Sequence, residues 1–250
     1  MTGTEELAGQ VALASRILAA AGLAREATGH VSARTGAGRM LLRCRDDREP
    51  GLRFTERAVA EIDFDAPATQ APDGMRLPIE RHIHGQLLAA RPEINAVVHV
   101  HPWSTWLTGI AGIPLAPVLG AFDPGALACA VNPPPVYPQS WLINSAARGA
   151  DIAALMDGHD ACVLRGHGIV TVGASVEQAT VRALRLNTIA MASAMAHLAG
   201  STYRLGEDEI AELVTADPAV IAAAEHEVWL HYAEFAAQTP APTGFLPFLY

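Results

Sequence analysis

Residues 77–104 read LPIERHIHGQLLAARPEINAVVHVHPWS, and the fold turns on this stretch. Ile79, Ile83, Leu87 and Leu88 recur at helical spacing and Pro92 ends the run, so a helix is expected over 79–91. The run Ala-Val-Val-His-Val-His that follows, Ala96 to His101, reads as a strand. A side-chain period of two puts His99 and His101 on one strand face, with Val98 and Val100 on the other. Two imidazoles so placed can hold one metal ion.

Toward the C-terminus, Ala161–Leu164 reads as a buried strand, and Ile169–Val172 as a second one. Between them Arg165-Gly166-His167-Gly168 forms a turn, whose glycines let the backbone bend and let a ligand come close. His167 is therefore the candidate third ligand, since three neutral imidazoles leave an open position for water or substrate. Glu80, at the start of the helix that precedes the histidine strand, is the natural acid/base partner. The plainer alternative is a carboxylate that complements the helix dipole. A single histidine is more often a satisfied core residue than a ligand, and His82, His84, His159 and His197 are read that way. From the residues alone, metal binding and ordinary packing both stay open.

Toward the N-terminus, Thr2 and Glu5 can form a capping box, and Leu7, Val11, Ala14, Leu18 and Ala21 trace one helix face up to Gly22. After Gly29-His30-Val31-Ser32-Ala33-Arg34, the run Met40–Arg45 is expected as a strand ending in Arg43, Cys44 and Arg45. The alternation puts both guanidiniums on one face, as a solvated edge or as a fork for a substrate carboxylate. Residues 46–76 read as loops and edge, with a short strand over 60–64. From His101 to Ala150 the prolines exclude long helices, and the segment could wall a pocket. A short helix is expected at Asp151–Met156. A longer one opens at a Ser175/Gln178 capping box and runs to about Leu198. Another short segment follows at Asp208–Leu213, and a last helix opens at Asp217-Pro218 and passes Trp229 and Phe235. The aromatic tail from Thr239 to Tyr250 is expected to dock on its own core or on a neighbouring subunit.

With 250 residues, half of them hydrophobic, and no evident linker, one domain spanning 1–250 is expected, its 201–250 portion packing at a subunit interface. A net charge of -9 speaks against nucleic acid or an anionic membrane as partner and in favour of small molecules. The three cysteines, Cys44, Cys129 and Cys162, form no CxxC pair, and no signal-peptide pattern opens the chain, which points to a reducing cytoplasm.

At these residues the sequence resembles the class II aldolase/adducin family. The resemblance rests on GHVSAR at 29–34, Glu80 and His84 in E-x-x-x-H, RPEINAVVHVHP, LRGHGIVTVG, and the 19-residue step from Glu80 to His99. It implies a three-layer α/β/α sandwich, with His99, His101 and His167 holding one divalent metal (zinc, manganese, iron or cobalt) and Glu80 moving protons. It also implies a homo-oligomer, a tetramer or a multiple of one, with sites near subunit interfaces. Where sugar-phosphate members cradle a phosphate, this chain has Gly29-His30, Arg43-Cys44-Arg45 and Pro78-Ile79. These departures resemble the family's decarboxylase branch, which implies a small anionic aromatic substrate contacted by His30, Ser32, Arg43, Arg45 and Arg165. The implied reaction is non-oxidative loss of carbon dioxide from a hydroxylated aromatic or pyridine dicarboxylate, through an enolate-like species stabilised by the metal and protonated at carbon. The alternative is an aldolase or epimerase acting on a small hydroxy-carbonyl compound, which needs the same electron sink.

Overall fold

A computed structural model describes residues 3–25, 28–48, 54–214 and 217–239. In chain order the elements are α1 (Gly3–Ala20), β1 (His30–Gly36), β2 (Arg39–Arg43), β3 (Arg45–Asp46), β4 (Val59–Asp63), β5 (Met75–Arg76), α2 (Arg81–Ala90), β6 (Ala96–Val100), α3 (Trp103–Ala111) and α4 (Pro124–Val131). There follow β7 (Val136–Tyr137), α5 (Ala146–Leu155), β8 (Ala161–Leu164), β9 (Gly168–Gly173), α6 (Val176–Leu198), α7 (Glu207–Leu213) and α8 (Pro218–Gln238). A seven-stranded sheet runs in the order β4-β2-β1-β6-β9-β8-β7, so the histidine strand β6 is its middle strand. Neighbours pair antiparallel except β7 and β8.

The pleat sorts side chains to two faces. Val98, Val100, Val31, Leu41 and Ile169 pack with Ile17 and Leu18 of α1 and Val181, Leu184 and Ile189 of α6. On the other face Val97, Leu42, Ile62, Val170 and Val172 pack with Ile83, Leu87 and Leu88 of α2 and Ile152 of α5. The result is the expected three-layer α/β/α arrangement. Burying each such Leu, Ile or Val contributes about 1.5–3 kcal/mol, so the sheet is held from both sides. Because β6 is central, its backbone is paired on both edges and its histidines have little freedom to move.

Local signals explain several boundaries. The Ser175 hydroxyl caps α6 by accepting from the Gln178 N–H, while Gln178 reaches back to the N–H of Ala174. Asp217 accepts from the Ala219 N–H ahead of Pro218, as expected for the start of α8. Gly22 ends the first helical segment at φ +74, a left-handed conformation that costs glycine least. Thr2, the expected cap of α1, and the tail beyond Thr239 lie outside the described residues.

Three expectations are corrected. The run Met40–Arg45 is two strands, because the chain leaves the large sheet after Arg43 and Arg45 joins a small ribbon, paired with Arg76. The segment from His101 to Ala150 has no long helix, as expected, but it is not irregular throughout: it holds α3 and α4, of 9 and 8 residues, because Pro102 and Pro124 stand at helix starts, where a missing N–H does no harm. Helix α5 begins at Ala146 behind a Ser145 cap, not at Asp151. Gly149 disguises it in the sequence. A Cβ there would fall 2.4 Å from the His82 carbonyl, so this glycine lets α5 lie close against α2.

Candidate metal centre and active site

Four side chains from three places in the chain converge. His99 projects from β6, His101 follows the end of that strand, His167 sits on the turn between β8 and β9, and Glu80 caps α2. Their ligand atoms all lie within 4.8 Å of one another. The Nε2 atoms of His99 and His101 are 2.9 Å apart, and Glu80 Oε2 is 3.3 Å from His99 Nε2 and 3.4 Å from His167 Nε2. This cluster is the one expected from the sequence.

Its protonation can be derived. His99 Nδ1 lies 2.9 Å from the Ile169 carbonyl, which can only accept, so Nδ1 carries a proton and Nε2 is the nitrogen turned toward the cluster. Both ring nitrogens of His167 are buried without a well-formed hydrogen bond among the described residues; Nε2 has the Glu80 carboxylate 3.4 Å away, and Nδ1 has nothing. Such an orphan is costly in a folded protein, and a metal bond on one nitrogen would answer it. Burial alone would push the Glu80 carboxyl up, but the adjacent His167 and His99 outweigh it and hold Glu80 well below the usual carboxylate range. Burial, together with His99 and His167, lowers His101 to about 3, so its ring is neutral and able to ligate. Three imidazoles and a carboxylate are a donor set that fits a divalent cation.

The backbone enforces the geometry at two glycines. Gly166 has φ +65, which makes the sharp turn that presents His167. A Cβ on Gly168 would fall 2.3 Å from the Val100 carbonyl and 2.8 Å from the His101 ring, so this position tolerates no side chain. At Glu80, Oε1 accepts from the Ile143 N–H at 2.8 Å, leaving Oε2 turned to the imidazoles.

The remaining expected residues divide. His30 is the cross-strand partner of His99, their ring centres 5.1 Å apart, and Ser32 is fully buried two residues further along β1. Arg43 and Arg45 do not share a face. Arg43 is 4% exposed on the α1 side, donating to the Gly29 carbonyl at 3.0 Å and stacked 4.1 Å from the Phe54 ring centre, whereas Arg45 is exposed on the ribbon. Burial lowers Arg43 to about 10. Arg165 opens the turn to His167 with its side chain exposed.

Two features escaped the sequence reading. His84 is fully buried in a polar chain, with Nε2 2.7 Å from His30 Nδ1 and Nδ1 2.7 Å from Ser32 Oγ. Its spacing from Glu80, one helical turn, could have marked it as facing the same way. Arg25 stacks 4.5 Å over Trp103 beside the cluster, where Leu23 accepts the His101 backbone N–H at 3.1 Å. Full burial with both nitrogens hydrogen-bonded makes His84 the satisfied core histidine it is expected to be, whereas His197, expected in the core as well, is exposed.

A Glu/His cluster gathered at a central strand of an α/β/α sandwich is a site that could hold a metal ion. Residues 9–194 match the family model described as the class II aldolase and adducin N-terminal domain, and the chain belongs to that family. It is 38% identical over 208 residues to a 3,4-dihydroxyphthalate decarboxylase of Arthrobacter keyseri, covering 81% of this chain and 84% of that one. A protein with the same name from Terrabacter sp. is 36% identical over 212 residues, covering 83% and 89%. Among solved structures, an aldolase II superfamily protein from Pseudomonas syringae superposes with a TM-score of 0.74 at 20% identity, covering 94% of both chains. At that identity the likeness concerns the fold alone.

Proposed function

We propose that this protein is a metal-dependent non-oxidative decarboxylase of a hydroxylated aromatic dicarboxylate, a carboxy-lyase of the class II aldolase/adducin family. The observation that carries the reading is the convergence of His99, His101, His167 and Glu80, taken with relatives named as decarboxylases that align over most of the chain. His99, His101 and His167 would hold one divalent ion, with zinc, manganese, iron and cobalt the candidates. Bound there, the ion supplies a Lewis acid that withdraws electron density as the carbon–carbon bond breaks.

The chain's own residues do the rest. Glu80 is ionised and one of its oxygens is pinned by Ile143, so Oε2 is the atom placed to take the proton of a substrate hydroxyl. When carbon dioxide leaves, the electron pair of the broken bond goes to the ring. Glu80 then returns its proton to the ring carbon, and solvent restores the proton of the hydroxyl. Arg43 is committed to the Gly29 carbonyl and so steadies the backbone leading into His30, while its charge favours an anion at that end of the sheet. Arg45 and Arg165, both exposed, are the candidates to pair with the carboxylate that stays.

The chain works as one domain in the cytoplasm, in a homo-oligomer whose contacts involve 201–250. The test is to incubate metal-loaded protein with hydroxylated phthalates and measure carbon dioxide and the monocarboxylate product. Metal-dependent release is expected. Cleavage of a hydroxy-carbonyl compound to an aldehyde, with no carbon dioxide from any aromatic dicarboxylate, would replace this reading with that of an aldolase.

A further inference from the structure

Ser32, His84 and His30 form a hydrogen-bonded row that ends beside the metal centre. Ser32 Oγ is 2.7 Å from His84 Nδ1, and His84 Nε2 is 2.7 Å from His30 Nδ1. Ser32 and His84 are fully buried, and His30 keeps 8% of its surface open. The His30 ring lies between those of His84 and His99, with centroids 4.9 Å and 5.1 Å away.

Each contact in this row holds one proton, so the row runs in one of two directions. In the first, the Ser32 hydroxyl donates to His84 Nδ1, the His84 Nε2–H donates to His30 Nδ1, and the His30 proton sits on Nε2. In the second, His30 Nδ1–H donates to His84 Nε2, His84 Nδ1–H donates to Ser32 Oγ, and His30 presents a bare Nε2. The second direction leaves the Ser32 hydroxyl proton with nowhere to go. Among the described residues Ser32 Oγ has no other partner than His84, and a buried hydroxyl proton is rarely left without an acceptor. Doubly protonated His30 fails for the same reason, because its Nδ1–H also forces His84 to donate to Ser32. The first direction satisfies every group in the row.

We infer that Ser32 and His84 are positioning residues that lock His30 in its Nε2–H tautomer, so that His30 offers a neutral hydrogen-bond donor to a substrate oxyanion next to the metal centre. The Nε2 of His30 has no partner among the described residues and lies on the side of the ring turned away from His84. A neutral donor suits an oxygen whose negative charge grows during the reaction, because it stabilises that charge without surrendering a proton beforehand. Ser32 thereby acts from behind His30 and does not touch substrate. The identity of the oxygen, a phenolate or carboxylate of a hydroxylated aromatic acid, rests on the decarboxylase reading. The tautomer does not.

Nitrogen-15 spectra of histidine-labelled, zinc-loaded protein read the ring protons directly. His30 and His84 are expected to be protonated on Nε2 and bare on Nδ1. Ser32→Ala removes the group that sets the direction, so an Nδ1–H population of His30 should emerge and kcat/KM should fall about tenfold or more. Ser32→Thr, which keeps the hydroxyl, should restore both. His30 protonated on Nδ1 in the unaltered protein, or an unchanged tautomer ratio in Ser32→Ala, overturns the inference. Failure of every hydroxylated phthalate to react overturns the proposed reaction instead and leaves the spectra to judge the row.

Discussion

The imidazole cluster assigns separate tasks to neighbouring residues, and single substitutions separate them. His99→Ala, His101→Ala and His167→Ala should each lose bound metal while keeping the far-ultraviolet spectrum of the fold, because each removes a ligand without touching either apolar layer. Full occupancy by elemental analysis in all three would dismiss the metal centre. Glu80→Gln keeps the shape and the contact with the Ile143 N–H but moves no proton, so kcat should drop by about 10²–10⁴-fold with metal retained. Near-normal turnover would take Glu80 out of the chemistry. Arginine substitutions test anion recognition. If Arg43 or Arg45 favours the carboxylate that stays, replacement by Ala should cost about 1.5–3 kcal/mol in kcat/KM on a dicarboxylate. The cost should be much less on the analogue lacking that group. Arg43→Lys should recover little, since the planar group bonded to Gly29 and stacked on Phe54 has no counterpart in an ammonium. An unchanged preference between the two compounds in both Ala variants would remove Arg43 and Arg45 from recognition and leave Arg165 as the candidate.

Among elements, the pair β6 and β9 deserves the closest test, because both approach a ligand through backbone. Gly168 lies against the Val100 carbonyl and the His101 ring at distances no Cβ can share. Gly168→Ala must therefore part the strands or push His101 aside. A stability loss of about 1–3 kcal/mol is expected, with metal affinity weakened about tenfold or more. Denaturant unfolding and metal titration report the two effects, and unchanged values in both would mean that the turn yields without strain. Much at this scale was legible in the chain itself: proline-stopped α2, the alternation of β6, and the serine cap of α6 are local, so the sequence shows them directly. Helix α5 was partly hidden because Gly149 lowers helix propensity for a reason found in another element, the His82 carbonyl of α2. Likewise the break after Arg43 depends on where β4 and β5 come to pair, which alternation along β2 cannot reveal.

Over the whole molecule, buried neutral histidine sets a pH limit on stability. Burial, with His99 adding to it, lowers His84 from 6.5 to about 3. The unfolded chain therefore binds a proton that the folded one refuses between those values, and stability present above pH 6.5 is lost as the pH falls toward 3. The loss is up to about 1.4 kcal/mol per pH unit for this one residue. Urea unfolding at stepped pH should show His84→Gln with a shallower dependence than the unaltered protein, and parallel curves would exclude His84 as a source. A cavity of about 420 Å³, lined by Cys129, Arg182, Arg185 and Glu225 among others, shares no lining residue with the Glu80, His99, His101 and His167 cluster. Its arginines pair with Asp160 and Glu225. The sequence by itself marked the main helices and strands and singled out the three histidines and Glu80 as candidates, because periodicity, proline, glycine and a two-residue alternation act over a few neighbours, while the layered fold came from the family resemblance. Only the tertiary structure decided that Arg43 and Arg45 part company, and that His84 links Ser32 to His30. Those outcomes depend on which strand and helix faces meet: the arginines on strands paired with partners well along the chain, and the His84 contacts across more than fifty residues.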